Sequence, residues 1–249
     1  MSVELGRLTL RVVVPGPSDR GASVEVRPLV DGEDILARVF REGPGADPAA
    51  LLRPYGPLTA TVEAREVRLA EASCTEGCCG AIYVTVRLDG DQVVWADWRN
   101  PDEENVDLPE FRFDAAQYAE ELDRATIDRD WEWPARTVAR LVEELLRRQA
   151  ERLTRQGCEL DFVTALPSKP YEIGVFFLHP DRAALVEGRP WLQFRARFQV
   201  TAEDPSTQAE RLAELLLAAD PRVVTEVCGG SPEYADRRGH VWPSHRERD

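Results

Sequence analysis

The chain has 249 residues, of which 43% are hydrophobic and 31% charged, as in ordinary globular proteins. The net charge at pH 7 is −14, and such a field repels nucleic-acid phosphates and anionic membranes. The amino terminus does not resemble a signal peptide, and the longest apolar run, at 173–178, is too short to span a bilayer. We therefore expect a cytoplasmic protein that binds neither nucleic acid nor membrane, and whose charge favours a basic protein partner.

Strands dominate the predicted elements of the first hundred residues. Runs rich in β-branched residues predict strands at 6–15, 23–30 and 59–70. Glycine and proline crowd the segment 41–48, which is typical of a loop. The first part of the chain is therefore predicted to be β-rich.

The segment 81–99 predicts a β-hairpin, because two alternating runs flank Asp89-Gly90. A two-residue loop there sets Val86 opposite Val93 and places Asp97 on the core face. The predicted core face also carries Ile82, Val84, Val86, Val93 and Trp95. The opposite face would carry Tyr83, Thr85, Val94 and Trp98. A carboxylate on the core face must be solvated at the strand end, hydrogen-bonded or bound to a ligand.

Two helices follow, at about 114–126 with Asp114 as N-cap and at about 134–156. The second has an apolar stripe at helical spacing. It consists of Val138, Leu141, Val142, Leu145, Leu146 and Leu153. The remaining pattern predicts strands at 160–165, 172–178 and 191–200, then a helix that opens at Asp204-Pro205, and a last strand at 222–228.

These elements predict an α+β protein. We expect a β-rich domain over 1–157 that includes the long amphipathic helix. A small β-β-β-α-β sandwich would follow over 158–236, with a loose tail at 237–249.

The segment SCTEGCC, residues 73–79, contains three of the five cysteines, Cys74, Cys78 and Cys79. Cys74 and Cys78 have the spacing of zinc ligands, but the sequence shows no second close pair. Glu71 and Glu76 disfavour a reactive thiolate, since nearby carboxylates raise a thiol pKa. The favoured interpretation is a glycine-containing turn that packs small thiols under the hairpin, with a zinc site as the alternative. We expect Cys158 and Cys228 to be buried thiols.

Trp95, Trp98, Trp131 and Trp133 cluster in the sequence around the acidic loop 100–110. Aromatic residues beside carboxylates can form a partner-binding surface, but the favoured interpretation is a seam where the long helix packs on the first sheet, because large aromatic side chains are usually buried. The candidate partner-binding residues are Asp97, Trp98, Asp102, Glu103 and Glu104.

Four segments together, CTEGCCGAIYVTV, DGDQVVWADWR, WEWPARTVARLVEELL and DPRVVTEVCGGSPEYADRRG, resemble a group of uncharacterised bacterial proteins from GC-rich genomes. Because that group has no established activity, the resemblance implies no site and no cofactor.

Three functions remain open. The leading hypothesis is a non-catalytic acidic protein-binding module, such as an immunity-like or regulatory protein for a basic partner. The first alternative is a protein stabilised by zinc at the cysteine loop. The second is an enzyme without a recognisable motif, built from carboxylates such as Asp97, because the sequence contains no phosphate-binding loop or nucleophile elbow.

Overall fold

The computed structural model describes residues 5–16, 19, 22–40, 43–53, 55–74, 76–103 and 106–243. The chain folds into two compact units, Met1–Trp131 and Glu132–Asp249. Both units combine helices with antiparallel sheets, and the predicted α+β class is confirmed.

The first unit contains two antiparallel sheets. One sheet has the order β1-β2-β3 and the other the order β4-β5-β6-β7. The strands are β1 Leu8–Val13, β2 Glu25–Val30, β3 Glu33–Asp34, β4 Arg65–Glu71, β5 Ala81–Asp89, β6 Gln92–Arg99 and β7 Phe111–Asp114. The helices are α1 Ile35–Val39, α2 Pro48–Leu51, α3 Glu76–Cys79 and α4 Ala115–Ile127. Buried positions alternate with exposed ones at the start of β1 and with half-buried ones throughout β2, because successive side chains of a strand point to opposite faces.

Helix α4 begins at Asp114, whose side chain accepts a hydrogen bond from the backbone N–H of Gln117. The carboxylate of Glu121 accepts from the backbone N–H of Leu10 at 2.6 Å, and Arg124 donates to the Leu10 carbonyl at 2.8 Å. Side chains of α4 therefore satisfy backbone groups of β1 that lack a strand partner on that side.

The strands β5 and β6 occupy the segment predicted as a hairpin, but their register differs from the prediction. Val86 faces Trp95 and Asp89 faces Gln92, so the loop is Gly90-Asp91 and not Asp89-Gly90. A shift of two residues keeps the same side chains on each face, since the strand period is two. Val84 and Trp95 are accordingly buried in the core of this unit.

A β-bulge changes the end of β6. Tyr83 faces Arg99 and Thr85 faces Ala96, so both Asp97 and Trp98 lie opposite Val84. Asp97 has a φ of 50° and is exposed. The prediction that Asp97 lies on the core face is wrong because the bulge turns this residue outward.

The second unit contains one antiparallel sheet of order β11-β10-β9-β8. Its strands are β8 Glu159–Thr164, β9 Glu172–His179, β10 Leu192–Gln199 and β11 Glu226–Gly230. Its helices are α5 Pro134–Arg148, α6 Ala150–Arg155, α7 Arg182–Val186, α8 Pro205–Ala218, α9 Pro221–Val224 and α10 Pro232–Arg237. Helices α5 and α8 cover the apolar face of the sheet, and their side chains share one core with it.

The unit boundary lies at Trp131/Glu132 and not at residue 157, where the sequence analysis placed it. The apolar stripe of α5 packs into the core of the second unit, so the long helix belongs to that unit and not to the first. The predicted helix over 134–156 is interrupted at Gln149, between α5 and α6. The last strand begins at Glu226, because Pro221–Val224 forms the short helix α9.

The predicted loose tail begins within α10, which ends at Arg237. His240 lies edge-on to Phe194 with ring centroids 5.0 Å apart, and Trp242 packs against the core of the second unit. The part of the tail at 244–249 lies outside the described residues.

Candidate metal-binding site

Three thiols converge between β4 and β5 of the first unit. The Sγ atoms of Cys74, Cys78 and Cys79 all lie within 4.8 Å of one another, and those of Cys78 and Cys79 are 3.7 Å apart. Cys74 and Cys78 are exposed, Cys79 is half-buried, and none of the three forms a disulfide. We refer to these three side chains as the thiol cluster.

A tight turn produces the thiol cluster. Helix α3 is a single turn, and the backbone N–H of Gly80 closes it by donating to the Glu76 carbonyl at 2.9 Å. Gly80 then adopts a φ of 82°, which is accessible to glycine without strain. Its carbonyl accepts from the N–H of Ala72 at 3.0 Å, so the two ends of the loop are held together.

Asn100 connects this turn to the acidic loop. Its side-chain Oδ1 accepts hydrogen bonds from the backbone N–H of Ala81 at 3.2 Å and of Asp102 at 3.1 Å. Asn100 is 4% exposed, and a Cβ on residue 80 would overlap its Oδ1. The turn that carries the predicted metal residues is therefore a neighbour of the predicted acidic residue Asp102, although Asp102 lies more than 20 positions after Cys79 in the sequence.

Carboxylates also flank the thiol cluster on the β4 side. Glu71 pairs with Arg68 at 2.8 Å, and a Glu71 oxygen accepts from the backbone N–H of Glu76 at 3.3 Å. The Tyr83 hydroxyl donates to Glu76 at 2.7 Å, and burial together with this hydrogen bond raises the pKa of Tyr83. The guanidinium of Arg99 lies 4.1 Å from the centre of the Tyr83 ring. This network holds α3 in place through its acidic side chain.

The pKa of Cys79 is raised to about 12. Its thiol is hydrogen-bonded to Cys74 and Cys78, and burial and the neighbouring sulfurs add to the shift. Hydrogen bonds between protonated thiols stabilise the neutral form of Cys79. Cys79 is therefore poorly suited to act as a reactive thiolate at neutral pH, since the thiolate is the nucleophile in cysteine chemistry.

The spacing of the sulfurs fits a thiophilic metal ion. A tetrahedral zinc ion with Zn–S bonds of about 2.3 Å holds its sulfurs about 3.8 Å apart. The distance of 3.7 Å between the sulfurs of Cys78 and Cys79 matches this value, and the sulfur of Cys74 lies within 4.8 Å of both. Within the described part of the chain, this is the one group of three or more His, Cys, Asp or Glu side chains with ligand atoms this close.

Comparisons with protein families, curated proteins and solved structures found no match.

The predicted partner-binding residues have different environments. Asp102 and Glu103 are exposed, with their backbone N–H groups bonded to Asn100, and Asp97 is exposed on the bulge of β6. Glu104 lies outside the described residues. The hypothesis that these carboxylates contact a partner stays a prediction.

Trp98 is half-buried and packs against the core of the first unit. Its ring contacts Trp95 edge-to-face at 6.1 Å, and its Nε1 donates to the Pro109 carbonyl at 2.9 Å. The bulge explains this position, because it returns Trp98 to the face that carries Trp95. The predicted placement of Trp98 on the opposite face is wrong.

The remaining two cysteines lie in the second unit. Cys158 is buried, and desolvation raises its pKa to about 12. Cys228 is half-buried, and desolvation raises its pKa to about 11. Both thiols are thus neutral at pH 7. The prediction of a buried thiol is confirmed for Cys158, whereas Cys228 is only half-buried and offers a matched control for experiments on the cluster.

The enzyme alternative was built on Asp97. The structure contains a cavity of about 500 Å³ in the second unit, lined by Phe198, Leu216 and Val224 together with Arg195 and Arg197. Asp97 does not line this cavity, nor two smaller ones of about 110 and 280 Å³. The enzyme alternative stays an untested prediction.

Sequence reasoning identified the three cysteines and the loop glycines Gly77 and Gly80, but it missed Asn100 and Tyr83. Asn100 bonds the backbone of Ala81, 19 residues away in the sequence, and the Tyr83 hydroxyl bonds Glu76. Single-sequence patterns contain no information on such side-chain contacts.

Proposed function

We propose that this protein binds a thiophilic metal ion through Cys74, Cys78 and Cys79, and that zinc is the ion bound under ordinary conditions. The convergence of three sulfurs within 4.8 Å of one another supports the proposal. Soft thiolate ligands favour zinc and copper(I) over magnesium and calcium.

The surroundings of the cluster support binding of a cation. Glu76 lies in α3 between Cys74 and Cys78 in the sequence, Asp102 lies against Gly80, and the chain as a whole carries a net charge of −14. A negative potential raises the local concentration of cations. Two exposed thiols give an ion direct access from solvent.

Bound zinc would stabilise the first unit. The three ligands lie on α3 and on the loop before it, and metal binding energy becomes folding energy when the ligands are brought together only in the folded state. We expect chelation of zinc to lower the melting temperature of the protein.

The proposal is tested by competition with a chromophoric zinc chelator, using the reduced protein and single serine variants. Native protein should remove one equivalent of zinc from the chelator, and Cys74→Ser, Cys78→Ser and Cys79→Ser should each weaken binding strongly. Cys228→Ser is the matched control and should bind zinc as the native protein does. Equal zinc affinity in the native protein and in all three cluster variants would eliminate the proposal.

A second candidate function is recognition of a basic protein by the acidic loop. The observation that favours it is the exposure of Asp102 and Glu103, whose backbone is held by Asn100. Charges on a surface steer association and make it dependent on salt. This candidate retains the interpretation as an acidic protein-binding module in the cytoplasm.

The second candidate is tested with a basic protein that copurifies from the source cells. The double variant Asp102→Asn, Glu103→Gln lacks two negative charges and should bind the basic protein more weakly. Raised salt should weaken binding further. The control is Glu210→Gln with Glu214→Gln, which removes two exposed charges from α8 in the second unit. Equal losses in both double variants would indicate a non-specific charge effect and would count against the acidic loop.

A further inference from the structure

We propose that the thiol cluster also captures a neutral trivalent hydroxide of arsenic or antimony, which it binds through all three sulfurs. This inference rests on the proposed function, because it uses the same cysteines. It goes further in naming a second class of ligand, whose binding chemistry differs from that of zinc.

The geometry suits a three-coordinate ion. Trivalent arsenic forms three bonds to sulfur on one side and keeps a lone pair on the other, so it requires three thiols that converge without a fourth. Cys74, Cys78 and Cys79 supply three sulfurs within 4.8 Å of one another. The exposed thiols of Cys74 and Cys78 allow entry of a small neutral molecule.

The binding step balances without any further reactant. Arsenous acid has three hydroxyl groups, and each of the three cysteine thiols displaces one of them. Three As–O bonds break, three As–S bonds form, and each thiol proton leaves with a hydroxyl group as water. Arsenic stays trivalent and the sulfurs are not oxidised.

The fate of the thiol protons distinguishes this reaction from zinc binding. Zinc binds cysteine as thiolate, so each bound thiol releases its proton to solvent and zinc binding is weakened by acid. Arsenous acid instead consumes the thiol protons to make water, so its reaction with three thiols releases no proton to solvent.

The test uses full-length reduced protein with sodium arsenite, analysed by native mass spectrometry. Spectra are recorded at about pH 6 and about pH 8, both of which lie below the ordinary thiol pKa. We expect one arsenic per chain with the loss of three hydrogens, and the same affinity at both pH values. Each of Cys74→Ser, Cys78→Ser and Cys79→Ser should lose the bound arsenic. Cys228→Ser is the control and should retain it.

Phenylarsine oxide, which requires only two thiols, shows whether a serine variant still has a folded cluster. A variant that binds phenylarsine oxide but not arsenite has lost the third sulfur and not its fold. A serine variant that binds arsenite as tightly as native protein would show two-thiol binding and overturn the inference. Zinc binding without arsenite binding would overturn the inference while leaving the proposed function intact, and the absence of both would eliminate both.

Discussion

The buried side chain of Asn100 accepts a hydrogen bond from the backbone N–H of Ala81, at the point where the cysteine turn enters β5. The same oxygen accepts from Asp102, so one side chain positions both the three thiols and the exposed carboxylates beside them. The stability of the turn and the affinity of the thiol cluster for metal should therefore depend on Asn100.

Replacing Asn100 with alanine tests this dependence. Asn100→Ala removes the acceptor and leaves the buried N–H of Ala81 without its partner, which costs about 1–3 kcal/mol in the free energy of unfolding. Urea denaturation measures the loss, and zinc affinity should fall in the same variant. Asp107→Ala, an exposed change in the same loop, should alter neither quantity. Equal effects of the two substitutions would contradict the role of Asn100.

Two glycines in the cysteine turn should respond differently to alanine. Gly80 has a φ of 82° and its added Cβ would overlap Asn100, so Gly80→Ala should destabilise the protein by at least about 1–2 kcal/mol. Gly77 lies in α3 with no atom within 4 Å of an added Cβ, and Gly77→Ala should stabilise by up to about 1 kcal/mol. Thermal unfolding of the Gly80→Ala and Gly77→Ala variants measures both changes in stability. Similar melting temperatures for the two variants would show that the turn is not built as described.

Because Asp97 lies on a bulge, we expect valine at this position to destabilise the protein more than glycine does. Asp97 has a φ of 50°, where a β-branched side chain is strained, so Asp97→Val should cost about 1–2 kcal/mol. Asp97→Gly should change stability by less than about 1 kcal/mol, because glycine adopts this conformation freely. In a regular strand valine would be the better residue and glycine the worse. Chemical denaturation followed by tryptophan fluorescence distinguishes the two cases.

Zinc affinity should rise with pH. Cys79 has a folded-state pKa raised to about 12, so at neutral pH it is protonated and zinc has to displace at least this proton. The apparent affinity should therefore increase by at least about tenfold per pH unit around neutrality. Competition titrations at a series of pH values measure the slope. An affinity independent of pH would mean that the thiols are not the ligands.

Local patterns predicted much of the fold. Alternating residues identified the hairpin strands and the correct core side chains Val84, Val86 and Trp95, because the strand period of two is insensitive to a shift of two residues. The bulge escaped prediction, since aspartate at positive φ leaves no pattern in the sequence. Trp98 was placed on the wrong face for that reason.

Nonlocal packing accounts for the rest of the differences. The apolar stripe of α5 showed that this helix is amphipathic, but a stripe does not indicate which sheet it covers, and the unit boundary was misplaced accordingly. The four-residue spacing of Cys74 and Cys78 predicted that their thiols could meet. The contact between Asn100 and Ala81, which fixes the turn, joins segments 19 residues apart.

The most direct test of the account is X-ray absorption at the zinc edge of the protein loaded with one equivalent of zinc. We expect a shell of three sulfurs at about 2.3 Å, lost in a Cys74→Ser, Cys78→Ser, Cys79→Ser triple variant and unchanged in Cys228→Ser. A shell of oxygen and nitrogen alone in the native protein would show that the three cysteines do not hold the metal.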